Sequence, residues 1–246
     1  MIARVTGALA AGVLLLGTPT AVWAQTRALE LEDYYGFRGV GSPAMSPDGS
    51  QVAYVVTELL EDENRRHSEL WLASTDGSAP PIRLTSPSFD ASGPRWSADG
   101  SLLSFSSRRP AADGSRTEST WLLRMDRPAG EAFQLEGLGG GPIFSPDAGW
   151  IAFTRPTPPP PAPPPAYASE FERKTVERFD GRVYDWMNYR FDRRGYLADP
   201  RDPQASPPRE LYVLDAAGGQ PRQLTHLGVD VQGPAWSADG GLLAFT

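Results

Sequence analysis

Four pairs of Ser and Asp, each two residues apart, are the first side chains in this sequence that could do chemistry: Ser46/Asp48, Ser97/Asp99, Ser145/Asp147 and Ser237/Asp239. A hydroxyl beside a carboxylate is part of a nucleophilic device, and the missing part is a histidine base. The chain has two histidines, His67 and His226. His67 falls in the polar run "EDENRRHSE" and His226 follows "QLT" at a turn, so both read as solvated turn residues. No Ser stands in a Gly-x-Ser-x-Gly elbow, so no catalytic residue is assigned. With no Cys and two distant His, no zinc ligand set forms. "ELLEDENRR" from Glu58 lacks the alternating ligands and central Gly of a calcium loop and reads as a solvated loop. "GLGGGP" from Gly137 places Pro142 where a phosphate loop needs its third Gly, and a strand follows it. Neither a metal nor a cofactor is expected.

A second set of candidates is richer. Between Phe171 and Pro203 the chain is dense in Arg and aromatics. Arg182, Trp186 and Arg190 could meet the carbonyls or carboxylate of a peptide through bidentate hydrogen bonds and stacking. The competing reading is that these residues pin the segment to its own blade through ion pairs with Asp180, Asp185 and Asp192.

The elements that must position these residues come from a repeat. "PAMSPDGSQVAYV" from Pro43, "PRWSADGSLLSFS" from Pro94, "PIFSPDAGWIAFT" from Pro142 and "PAWSADGGLLAFT" from Pro234 align without gaps. In each, a turn of the Ser-Pro-Asp-Gly kind precedes an aliphatic and an aromatic residue two apart, on one face of a strand. Three copies lead on to Leu70-Trp71-Leu72, Trp121-Leu122-Leu123 or Leu211-Tyr212-Val213, and then to "PIRLT", "AFQLE" or "PRQLT". The unit is therefore four short antiparallel strands. The Ser-to-Ser spacing is 51, 48 and 92 residues. Four-stranded units at that period predict an all-β fold, a partial β-propeller, with blades at about 41–86, 92–136 and 140–226 and an incomplete one at 232–246. The long third interval is read as an insertion at 155–208 between the second and third strands of the third blade. It opens with "PTPPPPAPPPA", a stiff extended spacer.

Composition agrees. Gly 25 and Pro 25 in 246 residues favour turns and short strands over long helices. A net charge of −7 argues against nucleic acid or an anionic membrane as partner. Residues 1–24, with Arg4, an apolar run from Val5 to Leu16 and a small-residue site ending at Ala24, have the layout of a cleaved secretory signal. A periplasmic or secreted protein is expected, free of the membrane after cleavage. Three and a half blades would leave open faces, so the chain is expected to be the N-terminal piece of a longer protein.

The repeat block, "LELEDYYGFRGVGSPAMSPDG", "ENRRHSELWLAS" and "RRGYLAD…RELYVLDAAGGQPRQLT" resemble the propeller of the prolyl oligopeptidase family of serine peptidases, from about Ala28 to Thr246. The resemblance implies a propeller that admits short peptides to a C-terminal α/β-hydrolase domain, which would carry the Ser, Asp and His. Peptide substrate and that domain are the implied partners. Some dipeptidyl-peptidase relatives hold the substrate amine on consecutive Glu residues after an Asp-Trp; "DWMNYR" from Asp185 begins similarly but lacks them, so amine recognition is not carried over. TolB-like periplasmic propellers share the turn motif. A non-enzymatic propeller binding a protein partner, or one fused to a different hydrolase, are the alternatives.

Overall fold

The computed structural model describes residues 28–110, 117–126, 130–161, 163, 165–178, 184–192 and 195–246; the expected signal and Arg182 lie outside these residues. What the Ser-Asp pairs do is clear at once. In all four copies the Ser Oγ donates to the Asp Oδ1 at 2.5–2.6 Å. The same Oγ accepts the N–H five residues on, at 2.9 Å in every copy. The Asp in turn accepts the N–H two residues on. Each pair is consumed in closing a turn, which is the local reason the sequence repeats it. The hydroxyl of Ser46 and then the groups of Ser50 hold the Asp48 carboxyl down at about 2.

These turns join the first two strands of each sheet. In the first sheet, β1 (Gly39–Met45), β2 (Gln51–Leu60), β3 (Arg65–Ser74) and β4 (Ile82–Arg83) pair in chain order, all antiparallel. The second has β5 (Ala91–Trp96), β6 (Leu102–Ser107) and β7 (Ser119–Arg124). In the third, β8 (Gly140–Phe144) and β9 (Trp150–Pro156) come before the insertion. Within it lie α1 (Glu170–Glu177) and a hairpin of β10 (Arg190–Phe191) and β11 (Gly195–Tyr196). β12 (Arg209–Asp215) and β13 (Arg222–Gln223) then complete the sheet in the order β13-β12-β9-β8. A last hairpin, β14 (Ala235–Trp236) and β15 (Leu243–Ala244), follows. The protein is thus mostly β, built of antiparallel four-stranded propeller-type blades.

The second blade departs from the expected unit. "AFQLE" forms a single bridge, Leu122 to Phe133, in place of a fourth strand. In the first and third blades a Thr hydroxyl two residues past the fourth strand accepts a third-strand N–H: Leu70 to Thr85 at 3.0 Å and Leu211 to Thr225 at 2.9 Å. The equivalent residue in the second blade is Glu136, and Thr120, in place of Leu70, turns its own hydroxyl to the Gly139 carbonyl at 2.8 Å.

The first strands β1, β5 and β8 each carry a bulge at the same point, and the last copy shares the backbone turn that goes with it. The residue before Pro is in the left-handed region: Ser42 at φ 48°, Gly93 at 62°, Gly141 at 66° and Gly233 at 56°. Three copies use the residue that tolerates this conformation; Ser42 does not.

Adjacent blades bury their apolar faces against each other. Leu70 and Leu72 of the first pack with Leu103, Phe105, Trp121 and Leu123 of the second. Leu211 and Val213 of the third pack with Trp236 and Leu243 of the last hairpin. At the middle seam Phe153, Tyr212 and Leu214 meet Leu135 and Leu138 of the connecting segment.

His67 corrects an expectation. It lies on β3, 3 % exposed, with Nδ1 2.8 Å from Asp90 and Nε2 3.4 Å from Glu69. Ten-residue strands carry the first hairpin on through "RRH", so part of the polar run is ladder and the turn shrinks to residues 61–64. There His67 faces the segment leading into the second blade, whose Asp90 also accepts the Ser68 N–H at 3.1 Å. His226 is exposed in a connecting turn, as read.

Candidate functional site in the third-blade insertion

The insertion leaves the sheet where β9 and β12 end. Their ladder runs to the Pro156–Arg209 pair, and the Thr157 N–H extends it by donating to the Pro208 carbonyl at 2.8 Å. The Thr157 hydroxyl shares a hydrogen bond of 2.8 Å with the Tyr212 hydroxyl, and Gln204 Nε2 donates to the Pro159 carbonyl at 2.7 Å. The proline segment therefore begins tied to its own blade and to the far end of the same insertion. Because strands alternate in direction, the insertion emerges at the end of the blade opposite the Ser-Asp turns.

Two elements organise what it carries. Helix α1 is capped by Ser169, whose Oγ accepts the Glu172 N–H at 3.1 Å, and braced by Arg173 between Glu170 and Glu177, each at 2.6 Å. The β10–β11 hairpin pairs Arg190 with Tyr196 and Phe191 with Gly195. Around the hairpin the aromatic residues gather. Tyr184 is the hub, with ring centroids 5.2 Å from Trp186, 5.2 Å from Tyr189 and 5.1 Å from Tyr196.

Two of the three candidate residues belong to this cluster. Arg190 lies with its guanidinium 5.6 Å over the Tyr196 ring and is exposed, with no ion pair among the described residues. Trp186 is half-buried, and its Nε1 meets no acceptor among the described residues. Arg182 lies outside the described residues, as does Asp180. The residue that covers Trp186 is one the sequence reading did not name: Arg201, 5.7 Å from the ring. Arg201 pairs with Asp185 and grips Asp199 through Nε at 3.0 Å and Nη2 at 2.8 Å. The Asp199 carboxylate, and then Asp185, push the Arg201 guanidinium up, and Arg201 pulls Asp199 down. So Asp185 is paired with Arg201 inside the insertion, a bond that braces the insertion internally and does not tie it to its blade. The signal for Tyr184, Tyr196 and Arg201 was aromatic and Arg density, which marks a region and not a partner.

Chemically, the arrangement offers an exposed cation beside stacked rings, which suits a carboxylate or a peptide carbonyl. Among the described residues it holds no Ser or Cys beside a histidine base. His67, the buried histidine, has both ring nitrogens facing carboxylates in the first blade. Among the described residues no group of three or more His, Cys, Asp and Glu is placed to hold a metal, and no helix is long and apolar enough to cross a membrane.

No family model matches the chain. Over 225 residues it is 26 % identical to the uncharacterized peptidase YuxL of Bacillus subtilis (strain 168); the match covers 89 % of this chain and 31 % of YuxL. The chain thus spans about a third of the length of that relative. Acylaminoacyl peptidase from Pyrococcus horikoshii superposes at a TM-score of 0.47 and 15 % identity, over 84 % of this chain and 27 % of its own. The β-propeller domain of the Trilobed protease from Pyrococcus furiosus superposes at 0.45 and 12 % identity, over 84 % and 48 %.

Proposed function

From its kinship with the propeller region of the YuxL and acylaminoacyl peptidases, we propose that this chain is the substrate-gating propeller of an exported serine peptidase acting on oligopeptides. The observation that carries the reading is the match to a peptidase along 89 % of the chain, through the same blades and turns that organise the structure. In this reading the chemistry belongs to a hydrolase domain elsewhere in the protein: a Ser hydroxyl attacks the peptide carbonyl, the amine leaves with the proton taken up by His, and water releases the acid. The blades contribute exclusion, since a narrow ring passes an extended peptide and stops a folded one. The insertion, with Arg190 and Trp186, contributes a contact for the peptide's carbonyls or carboxylate.

The test is hydrolysis by the product of the intact gene. It should cleave peptides of several residues and leave the same sequence uncut when embedded in a stable folded domain. Equal cleavage of both removes the gating role, and cleavage of neither removes the peptidase reading.

A further inference from the structure

Two residues with unpartnered donors line one cavity at the seam between the first and second blades. Among the described residues, three buried side-chain nitrogens find no acceptor in the protein: Arg109 Nε, Trp121 Nε1 and Trp186 Nε1. The first two belong to residues that line one cavity of about 410 Å³. Trp121 is 9 % exposed, and the Arg109 guanidinium lies 5.0 Å over its ring. The rings of Phe89 and Phe105, each at 5.7 Å, complete a cage that fixes the guanidinium. Leaving two donors desolvated and without an acceptor costs free energy. Burial also pushes the Arg109 guanidinium down, against the opposing charge of Glu131. Leu84, Phe89 and Ala132 supply an apolar side of the wall, Ser86 also lines it, and Glu131 stands exposed at the rim.

We propose that this cavity binds the carboxylate of a small apolar acid, such as the C-terminal end of a peptide closing in an aliphatic residue. One oxygen accepts from Arg109 Nε and the other from Trp121 Nε1, and the apolar body rests on Leu84, Phe89 and Ala132. The site belongs to the seam between two blades and is independent of the peptidase reading.

Indole N–H resonances of the ¹⁵N-labelled chain test this, with N-acetylleucine as probe and N-acetylleucinamide as control. Trp121→Phe identifies the Trp121 signal among the seven tryptophans. The acid should shift that signal saturably at millimolar concentration, and the amide should leave it in place. Arg109→Met should weaken the acid by about tenfold or more. Glu131→Gln, at the exposed rim and away from the packed core, should tighten it by about two- to threefold. A Trp121 signal that the acid does not move, or that the amide moves equally, overturns the proposal. So does an affinity that Glu131→Gln leaves unchanged, a result that holds even where Arg109→Met impairs folding.

Discussion

The indole Nε1 of Trp96, on the first strand of the second blade, donates to the main-chain carbonyl of Ala44, on the first strand of the first blade, at 2.9 Å. Trp236 repeats the bond to Ile143 between the third blade and the last hairpin, at 3.2 Å. At the middle seam Phe144 occupies the same place and has no N–H to give. Two of the three seams are therefore tied by this indole hydrogen bond in addition to apolar packing.

Trp96→Phe keeps the ring and removes the bond. It should lower stability by about 0.5–1.5 kcal/mol, or roughly 2–4 °C in melting temperature for each kcal/mol. Chemical denaturation of the variant checks this, and an unchanged midpoint would show that the tie is not energetically used.

Ser145 is 1 % exposed and makes two bonds with one hydroxyl, to Asp147 and from the Trp150 N–H. Ser145→Ala should cost about 1–3 kcal/mol, because a buried N–H loses its acceptor. Ser237→Ala, in the exposed copy of the same turn, should cost less.

Acid should loosen these turns. The Asp48 carboxyl is held at about 2, below its ordinary value of 3.8, by Ser46 and Ser50. Asp147 and Asp239 are lowered likewise, chiefly by Ser145 and Ser237. A carboxyl whose folded value lies below its unfolded one stabilises the fold above the unfolded value, and that contribution disappears as pH falls through the folded one. Denaturation midpoints should therefore fall between pH 4 and pH 2, and the slope should flatten in Asp48→Asn. A slope unchanged in that variant would contradict the assignment.

Ala148 takes φ 57° at the turn position where the other copies have Gly49, Gly100 and Gly240, at 71–74°. Relief of left-handed strain, less the entropy that glycine adds to the unfolded chain, gives Ala148→Gly a net gain of about 0.5–1 kcal/mol. A lower melting temperature would show that Ala148 is held by packing.

In the insertion, Arg190→Ala should leave stability within about 0.5 kcal/mol, since the residue is exposed and makes no ion pair among the described residues. In the intact gene product the same change should raise KM for peptides at constant kcat, by about three- to tenfold. Arg201→Ala should instead alter the fluorescence of Trp186, which it covers.

The turns and the strands that follow them were legible because their chemistry is local: Ser, Asp and the residue after them act within six positions of each other. What sequence hid depends on distance. His67 reads as a loop residue because the charged run around it masks a strand, and its partner Asp90 arrives from 23 residues away. The second blade's missing fourth strand turns on one substitution, Glu136 for Thr, whose meaning appears only beside Thr85 and Thr225. Arg190 and Trp186 were found by composition, but the ion pair that organises them, between Arg201 and Asp185, spans 16 positions of irregular chain. Nothing near Arg109 in the sequence announces a cage built from Phe89, Phe105 and Trp121.

The central claim is that these blades serve a serine peptidase whose chemistry they do not contain. Fluorophosphonate labelling of the product of the intact gene, followed by peptide mapping, tests it most directly. The account predicts one labelled Ser, outside residues 28–246, and no labelling of the 246-residue chain alone. A labelled Ser within the blades, or an intact product that the probe leaves unmodified, would contradict it.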